Sequence, residues 1–286
     1  MPPRAFNRSG TAMAFTFDGP LLLVGAGKMG GALLQGLMAR GLDPRRVRVQ
    51  DPSPPAEIAA LLASRGVVAE PTIESVPEPP GIIVAAVKPQ VMDAVFPAVA
   101  RLAGPKTLTV SIAAGRTLKS FEAHLPVNAA VVRAMPNTPA AIGRGITVCA
   151  PNAHVTPGQR ALCESLMAAV GEVAWVERES AMDAVTAVSG SGPAYAFLLA
   201  AALEKAARAA GPDPALARSL ARATVSGAGE LMMRSGEDAS VLRRNVTSPG
   251  GTTAAALAVL MAEGGLEDLL RKAVLAGEGR SRELAK

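Results

Sequence analysis

The chain has 286 residues, enough for one large or two ordinary domains with ample core. Its net charge is +5, but the basic residues are interspersed with acidic ones and no aromatic RNA-reading motif accompanies them, so nucleic acid is not an expected partner. Two cysteines, Cys149 and Cys163, and two isolated histidines, His124 and His154, exclude a disulfide framework and any metal-ligand spacing, which fits a reducing cytoplasm.

Residues 1–19 are polar and irregular, lack the apolar run of a signal peptide, and read as a disordered extension. Leu21-Leu22-Leu23-Val24 then reads as a buried strand. Gly25-Ala26-Gly27-Lys28-Met29-Gly30 follows at once, and a helix is expected from Gly31 to Arg40, closed by Gly41. A Gly-x-Gly-x-x-Gly between strand and helix is where a dinucleotide fingerprint must lie. Its first glycine makes the turn, its second admits a pyrophosphate to the backbone, and its third lets helix pack on strand. Val24 to Gly30 are therefore expected to bind cofactor.

Val47 to Gln50 is the second expected strand, ending at Asp51. An acidic residue about 20 positions past the motif bonds the ribose 2′-hydroxyl and repels a 2′-phosphate, so Asp51 points toward NADH. Ser53 and the upstream Arg40, Arg45, Arg46 and Arg48 pull the other way. Preference stays open at this stage, with a lean toward dual use.

Gly81 to Val87 is a further buried strand, stopped by Lys88-Pro89-Gln90. Ala86, Val87, Lys88 and Pro89 then face the ligand crevice, since residues at the carboxyl ends of parallel strands do so. Thr107 to Ile112 is the next strand, followed by the small Ala113 and Ala114, which let a nicotinamide approach the backbone. Ala129 to Ala134 leads into Met135-Pro136-Asn137-Thr138-Pro139, with Asn137 a further cofactor candidate. Ile146 to Cys149 and Glu172 to Val176 read as two more strands around a helix from Thr156 to Val170. Alternation of strands and helices up to about 176 predicts α/β architecture, a Rossmann-type doubly wound parallel sheet over 20–178.

From Glu179 no strand signal remains, which predicts an all-α domain over 179–286. Glu179 to Val188 reads as helix, broken by Ser189-Gly190-Ser191-Gly192-Pro193. Further helices are expected to Ala210, from Asp213-Pro214 to about Arg234, to Met261, and from Leu266 onward. The most apolar stretch, Ala194 to Leu203, ends at Glu204-Lys205, so no stretch is long enough to span a membrane. Ala196 to Leu203 shows little polar face and must be buried, which in so small a domain points to a homodimer.

One loop in this half reads equally as an ordinary loop before a capped helix or as a ligand site. The residues before Gly250 read as breaking helix, and those after Thr252 as making it. Thr252 or Thr253 is expected to cap that helix through its hydroxyl, leaving an anion site of open N–H groups.

Asn245-Val-Thr-Ser-Pro-Gly-Gly-Thr-Thr resembles the signature loop of the pyrroline-5-carboxylate reductase family. So do, in the expected order, Gly-x-Gly-x-Met-Gly, Val-Lys-Pro, Met-Pro-Asn-Thr-Pro and Ser-Gly-Ser-Gly-Pro-Ala-Tyr, over the chain from about residue 20 to the end. The resemblance implies reduction of the C=N of 1-pyrroline-5-carboxylate to L-proline by NADPH or NADH, in a cytoplasmic homodimer that can assemble further, with no nucleic-acid or membrane partner and no metal. It implies that the Gly251 and Thr252 amides bind the substrate carboxylate, that Thr253 is the catalytic residue through its hydroxyl at the ring nitrogen, and that Asn245 and Glu179 line the pocket. Asp51 departs from the family, whose position there more often carries Ser or Thr. An adenosine-side Asn that members often place between the second and third strands has no clear counterpart in Ala69 to Pro80. Two rival readings are a hydroxyacid or imine dehydrogenase, whose second-domain lysine motif is absent around Lys205, Lys272 and Lys286, and a nucleotide sensor, which would not keep the Thr252-Thr253 loop.

Overall fold

A computed structural model describes residues 15–285. They fall into two compact units, one of residues up to Thr186 together with 281–285, the other Ala187–Arg280. Fourteen residues of the expected extension lie outside the described residues. Residues 15–19 are ordered: Phe15 is buried in the core, and the Arg46 guanidinium donates to the Phe17 and Gly19 carbonyls and stacks over the Phe17 ring.

The first unit runs β1 (Leu21–Val24), α1 (Lys28–Ala39), β2 (Val47–Gln50), α2 (Ala56–Ser64), β3 (Ala69–Glu70), β4 (Ile82–Ala85), α3 (Pro89–Ala100), β5 (Leu108–Ser111), α4 (Leu118–Glu122), β6 (Ala130–Met135), β7 (Gly145–Pro151), α5 (Pro157–Met167), β8 (Gly171–Trp175) and α6 (Met182–Val185). They form one eight-stranded sheet in the order β3-β2-β1-β4-β5-β6-β7-β8. Alternate strand residues face two cores. Leu21, Leu23, Ile82 and Val84 pack with Leu33, Leu34 and Leu37 of α1. Leu22, Val24, Ile83 and Ala85 pack with Met92, Phe96 and Val99 of α3. Burial on both faces is why these strands read as continuous apolar runs rather than alternating ones.

Two expectations need correction here. The sheet is not parallel throughout, because β7 runs antiparallel to β6. Their connection holds a single 3-10 turn, Thr138–Ile142, too short for the crossover of about a dozen residues that parallel strands need. The first helix begins at Lys28, inside the glycine motif, rather than at Gly31. It ends as expected: Gly41 has φ +92°, its amide bonds the Met38 carbonyl, and the Leu42 amide bonds that of Leu37. Finally, β3 was not foreseen, being only two residues long.

Residues 179–186 pack against the sheet. Met182 is buried with Val148 and Ala150, and the Ser281 hydroxyl donates to the Asp183 carboxylate at 2.7 Å.

The second unit is helical: α7 (Gly192–Ala209), α8 (Pro214–Ser235), α9 (Ala239–Asn245), α10 (Thr252–Leu260) and most of α11 (Leu266–Leu284). Asp213 caps α8, accepting from the Ala215 and Leu216 amides at 2.9 and 3.2 Å. Its apolar residues are largely exposed, Phe197 at 69% and Val259 at 74% among them, and of its large side chains none is buried among the described residues. An exposed apolar surface on this scale marks an association face.

The 189–193 cluster does not break the helix. A π turn, Thr186–Gly190, leads straight into α7, so the helical run Glu179–Ala209 spans 31 residues and is apolar enough by length and composition to cross a membrane. This corrects the expectation that no stretch reaches that length. The glycines and serines are accommodated by widening one turn rather than ending the helix.

Candidate active site

The glycine turn stands where the sequence places it, between β1 and α1. Gly25 has φ +95°, and a side chain there would meet the Val87 amide at 2.8 Å. A Cβ on Gly30 would collide with the Gly25 carbonyl oxygen. Gly27, by contrast, has nothing within 4 Å of where its Cβ would point. It is the N-cap of α1 and no side chain caps that helix. The amides of Lys28, Met29 and Gly30 therefore have no side-chain cap at a positive helix end.

The turn opens into a groove of about 820 Å³. Gly25, Gly27, Asp51, Ala86, Val87 and Lys88 line it as expected, and the Pro71–Glu74 segment and one face of α3, including Val91 and Val95, complete it. Gln50 also lines it, and its buried Oε1 has no partner among the described residues. A buried acceptor facing a cavity is an incomplete hydrogen-bond set that a ligand donor would fill. Asp51 is the best-fixed polar group. Its Oδ2 accepts the Ala26 amide at 2.7 Å and its Oδ1 the Ser53 amide at 2.8 Å. Ser53 itself is exposed and is engaged here through its backbone.

Lys88 is exposed and is the N-cap residue of α3, with Pro89 in the first turn. Arg116, just after the turn at Ala113 and Ala114, donates to the Pro89 carbonyl at 2.8 Å and the Asp93 carboxylate at 2.5 Å. That clamp ties the start of α3 to the end of β5, and the guanidinium's hydrogen bond holds the Asp93 carboxyl below its usual range. Ala113 is buried and Ala114 exposed beside it. The Asn137 side chain is committed, its Oδ1 accepting the Ile146 amide at 3.0 Å, so only its backbone remains for a ligand.

Glu179 belongs to this unit. Its Oε1 accepts the Leu118 amide at 2.8 Å and Arg133 Nη1 at 3.1 Å. Arg133 is 4% exposed on β6, and its Nη2 has no partner among the described residues. Arg133 was missed from the sequence. Its signal was there, a single charge inside the apolar run Ala130-Val131-Val132-Arg133-Ala134-Met135. The α3 face was missed too, although Val91, Ala94, Val95 and Ala98 recur at helical spacing.

In the second unit the stretch before Gly250 is not helix-breaking as expected, because α9 continues to Asn245, which is exposed at its end. Nor does a threonine cap α10. Gly251 is the N-cap with no side-chain bond, and Thr252 and Thr253 are the first two helical residues. The helix rule explains this: Gly250 at φ +69° turns the chain so that Gly251 takes the extended cap conformation. The Gly251 amide donates to the Ser248 carbonyl at 3.1 Å. The open donors are thus those of Thr252, Thr253 and Ala254, one residue further on than expected. Thr253 is half-buried and Thr252 exposed.

A dinucleotide groove over a mostly parallel sheet, followed by a helical unit with an anion-ready loop, defines a nicotinamide-dependent oxidoreductase. Residues 179–284 match the family model for pyrroline-5-carboxylate reductase dimerisation, and residues 21–115 that for NADP oxidoreductase, coenzyme F420-dependent. A pyrroline-5-carboxylate reductase of Pseudomonas aeruginosa is 41% identical over 93% of this chain and 96% of its own length. The chain belongs to the pyrroline-5-carboxylate reductase family, NAD(P)H-dependent enzymes of proline synthesis.

Solved structures agree. A pyrroline-5-carboxylate reductase from Coxiella burnetii superposes with a TM-score of 0.84 at 35% identity, covering 94% of this chain and 99% of that one. A pyrroline carboxylate reductase of Plasmodium falciparum with NADP bound superposes at 0.76 with 25% identity, covering 95% and 100%.

Proposed function

We propose that the chain reduces the cyclic C=N of 1-pyrroline-5-carboxylate to L-proline, using NADPH or NADH, as a homodimer in the cytoplasm. The observation that carries this reading is the Ser248–Thr253 turn, which delivers the open amides of Thr252, Thr253 and Ala254 and the Thr253 hydroxyl at one helix start. The substrate needs its carboxylate fixed and its ring nitrogen satisfied. Helix-start amides do the first. The Thr253 hydroxyl oxygen accepts from the protonated ring nitrogen and holds the ring's orientation.

The groove of the first unit takes the dinucleotide. Gly25, Ala26, Gly27, Lys28, Met29 and Gly30 cradle the pyrophosphate, Asp51 and Ser53 take the adenosine ribose, and Val87, Lys88, Ala113, Ala114 and the Asn137 backbone wall the nicotinamide side. Gly27's open space, the uncapped start of α1 and the orphan Gln50 oxygen all suit that group. When bound, the reduced nicotinamide supplies the hydride. The protein's own contribution is alignment, which replaces the entropy of bringing two reactants together. A protonated imine is the better acceptor, and its proton comes from water or arrives with the substrate, since a threonine hydroxyl is a poor acid. Glu179 and Asn245 are substrate-side residues, Glu179 with one carboxylate oxygen already held by Arg133 and Leu118.

The exposed apolar helices supply the self-association face, and the two buried free thiols are at home in a reducing compartment. The test is oxidation of NADH and NADPH with 1-pyrroline-5-carboxylate, with proline assayed as product. Turnover to proline is the expected result. Tight dinucleotide binding without turnover would redirect the assignment to a related cyclic imine such as piperideine-2-carboxylate, or to a sensor.

A further inference from the structure

We infer that this chain selects NADH over NADPH, and that Asp51 is the residue that decides. The inference rests on the groove above being the dinucleotide site.

A carboxylate offers about four acceptor positions. In Asp51 two are filled, by the Ala26 amide at 2.7 Å and the Ser53 amide at 2.8 Å. The Asp51 amide in turn donates to the Glu70 carbonyl at 2.9 Å. The side chain is therefore pinned at the end of β2, on the groove wall, with lone pairs left on both oxygens. That arrangement matches a ribose carrying two free hydroxyls, each a donor. A 2′-phosphate is an acceptor with nearly two negative charges. It would meet a carboxylate that two backbone bonds prevent from turning away. Glu74 lines the same groove and adds charge of the same sign.

Lys28, in the glycine turn, is assigned to the pyrophosphate, and the arginines that could offset this charge are occupied or distant. Arg45 is spent on Asp43, through Nε at 3.1 Å and Nη2 at 2.7 Å. Arg46 is spent on the Phe17 and Gly19 carbonyls. Arg48 places Nε and Nη2 on Glu70 Oε1 at 2.9 and 2.7 Å. Arg40 caps the far end of α1, about 18 Å along the helix from the glycine turn. Of the two cations on the groove wall, Arg101 ends α3, again about 18 Å from the strand ends. Lys88 follows β4, which β1 separates from β2, a distance of about 10 Å across the sheet. The arginine cluster that would have favoured a 2′-phosphate is thus consumed by the fold.

The test is calorimetric titration of the full-length protein with NADH and with NADPH, without substrate. NADH should bind at least about tenfold more tightly. Asp51→Asn keeps an acceptor for the Ala26 amide and removes the charge, so the ratio should narrow by at least about tenfold, with NADPH gaining. Thermal melting checks that the variant folds. Should it not, Glu74→Gln, on an exposed segment, is titrated instead, and it should narrow the ratio in the same direction. Equal or tighter NADPH binding by the parent protein overturns the inference, as does an unchanged ratio in the folded Asp51→Asn protein. Equal, tight binding of both dinucleotides would leave the groove assignment standing, whereas binding of neither would overturn the groove assignment together with the preference.

Discussion

Glu179 and Arg133, 46 residues apart in sequence, meet at 3.1 Å through Oε1 and Nη1, with the same oxygen accepting the Leu118 amide. The guanidinium is 5% exposed and the carboxylate 27%. Glu179 is therefore a tie between β6, α4 and the start of the long helical run, in addition to any part it takes in the pocket. Removing one partner of a buried pair strands the other charge. Glu179→Ala should cost about 3–5 kcal/mol in urea unfolding. Glu179→Gln, which keeps an acceptor, should cost clearly less. Equal melting of parent and Glu179→Ala would show that the pair contributes nothing to stability.

Two glycines of the same motif should separate folding from binding. Gly30→Ala drives a methyl into the Gly25 carbonyl, backbone against backbone, and should destabilise the fold by at least about 2 kcal/mol. Gly27→Ala meets nothing within 4 Å and should fold normally. Its methyl would occupy the open space before α1, so dinucleotide affinity should fall by about tenfold or more. Normal affinity in Gly27→Ala would move the pyrophosphate away from this turn.

Thr253→Val keeps the shape of the α10 start and its amides while deleting the hydroxyl. We expect kcat/KM for 1-pyrroline-5-carboxylate to fall at least about tenfold, equivalent to about 1.4 kcal/mol of transition-state stabilisation. Unchanged kinetics would remove the hydroxyl from the mechanism and leave the amides alone to hold the substrate.

The helical unit should not be stable as an isolated monomer. Charging its exposed face with Phe197→Asp or Val259→Asp should shift sedimentation toward monomer and make the melting temperature fall on dilution. A dimer that survives both substitutions would place the self-association face elsewhere.

Cys149 and Cys163 are free and buried, and the hydrogen bond between them, followed by burial, pushes the Cys163 thiol well above its usual range. A thiol raised in the folded state contributes stability that is whole below the unfolded value of about 8.5 and is lost as pH rises past it. Native protein at neutral pH should therefore react with an aromatic disulfide reagent only at the rate of unfolding. Alkaline destabilisation should be smaller in Cys163→Ala than in the parent. Rapid labelling of both thiols in native protein would contradict the burial.

The sequence by itself determined what is local along the chain. Leu21 to Val24 is apolar because a central parallel strand is buried on both faces, and Gly25 and Gly30 of the turn answer a positive φ and a close approach of Gly25 to Gly30 within six residues. The same holds for Gly41 past α1, Asp213 before α8 and the Pro-Gly-Gly turn before α10. Those signals sufficed for the fold class and for the loop carrying Thr253. Local reading misjudged two positions in the helical half: Gly251 rather than a threonine is the cap, and a π turn rather than a break leads into α7.

The tertiary structure decided the partners of the charged groups. Asp51 finds the Ala26 amide across 25 residues and Glu179 the Leu118 amide across 61. Arg45, Arg46 and Arg48 are a single basic cluster in sequence, yet each ends on a different acceptor. The direction of β7 was likewise settled by the length of its connection and the edge left open by β6. Periodicity and backbone rules act over a few residues, whereas the direction in which a long charged side chain turns depends on which acceptor packing brings within 3 Å. The sequence therefore identified the groove and the loop, and packing determined which charges remained to read the ligand.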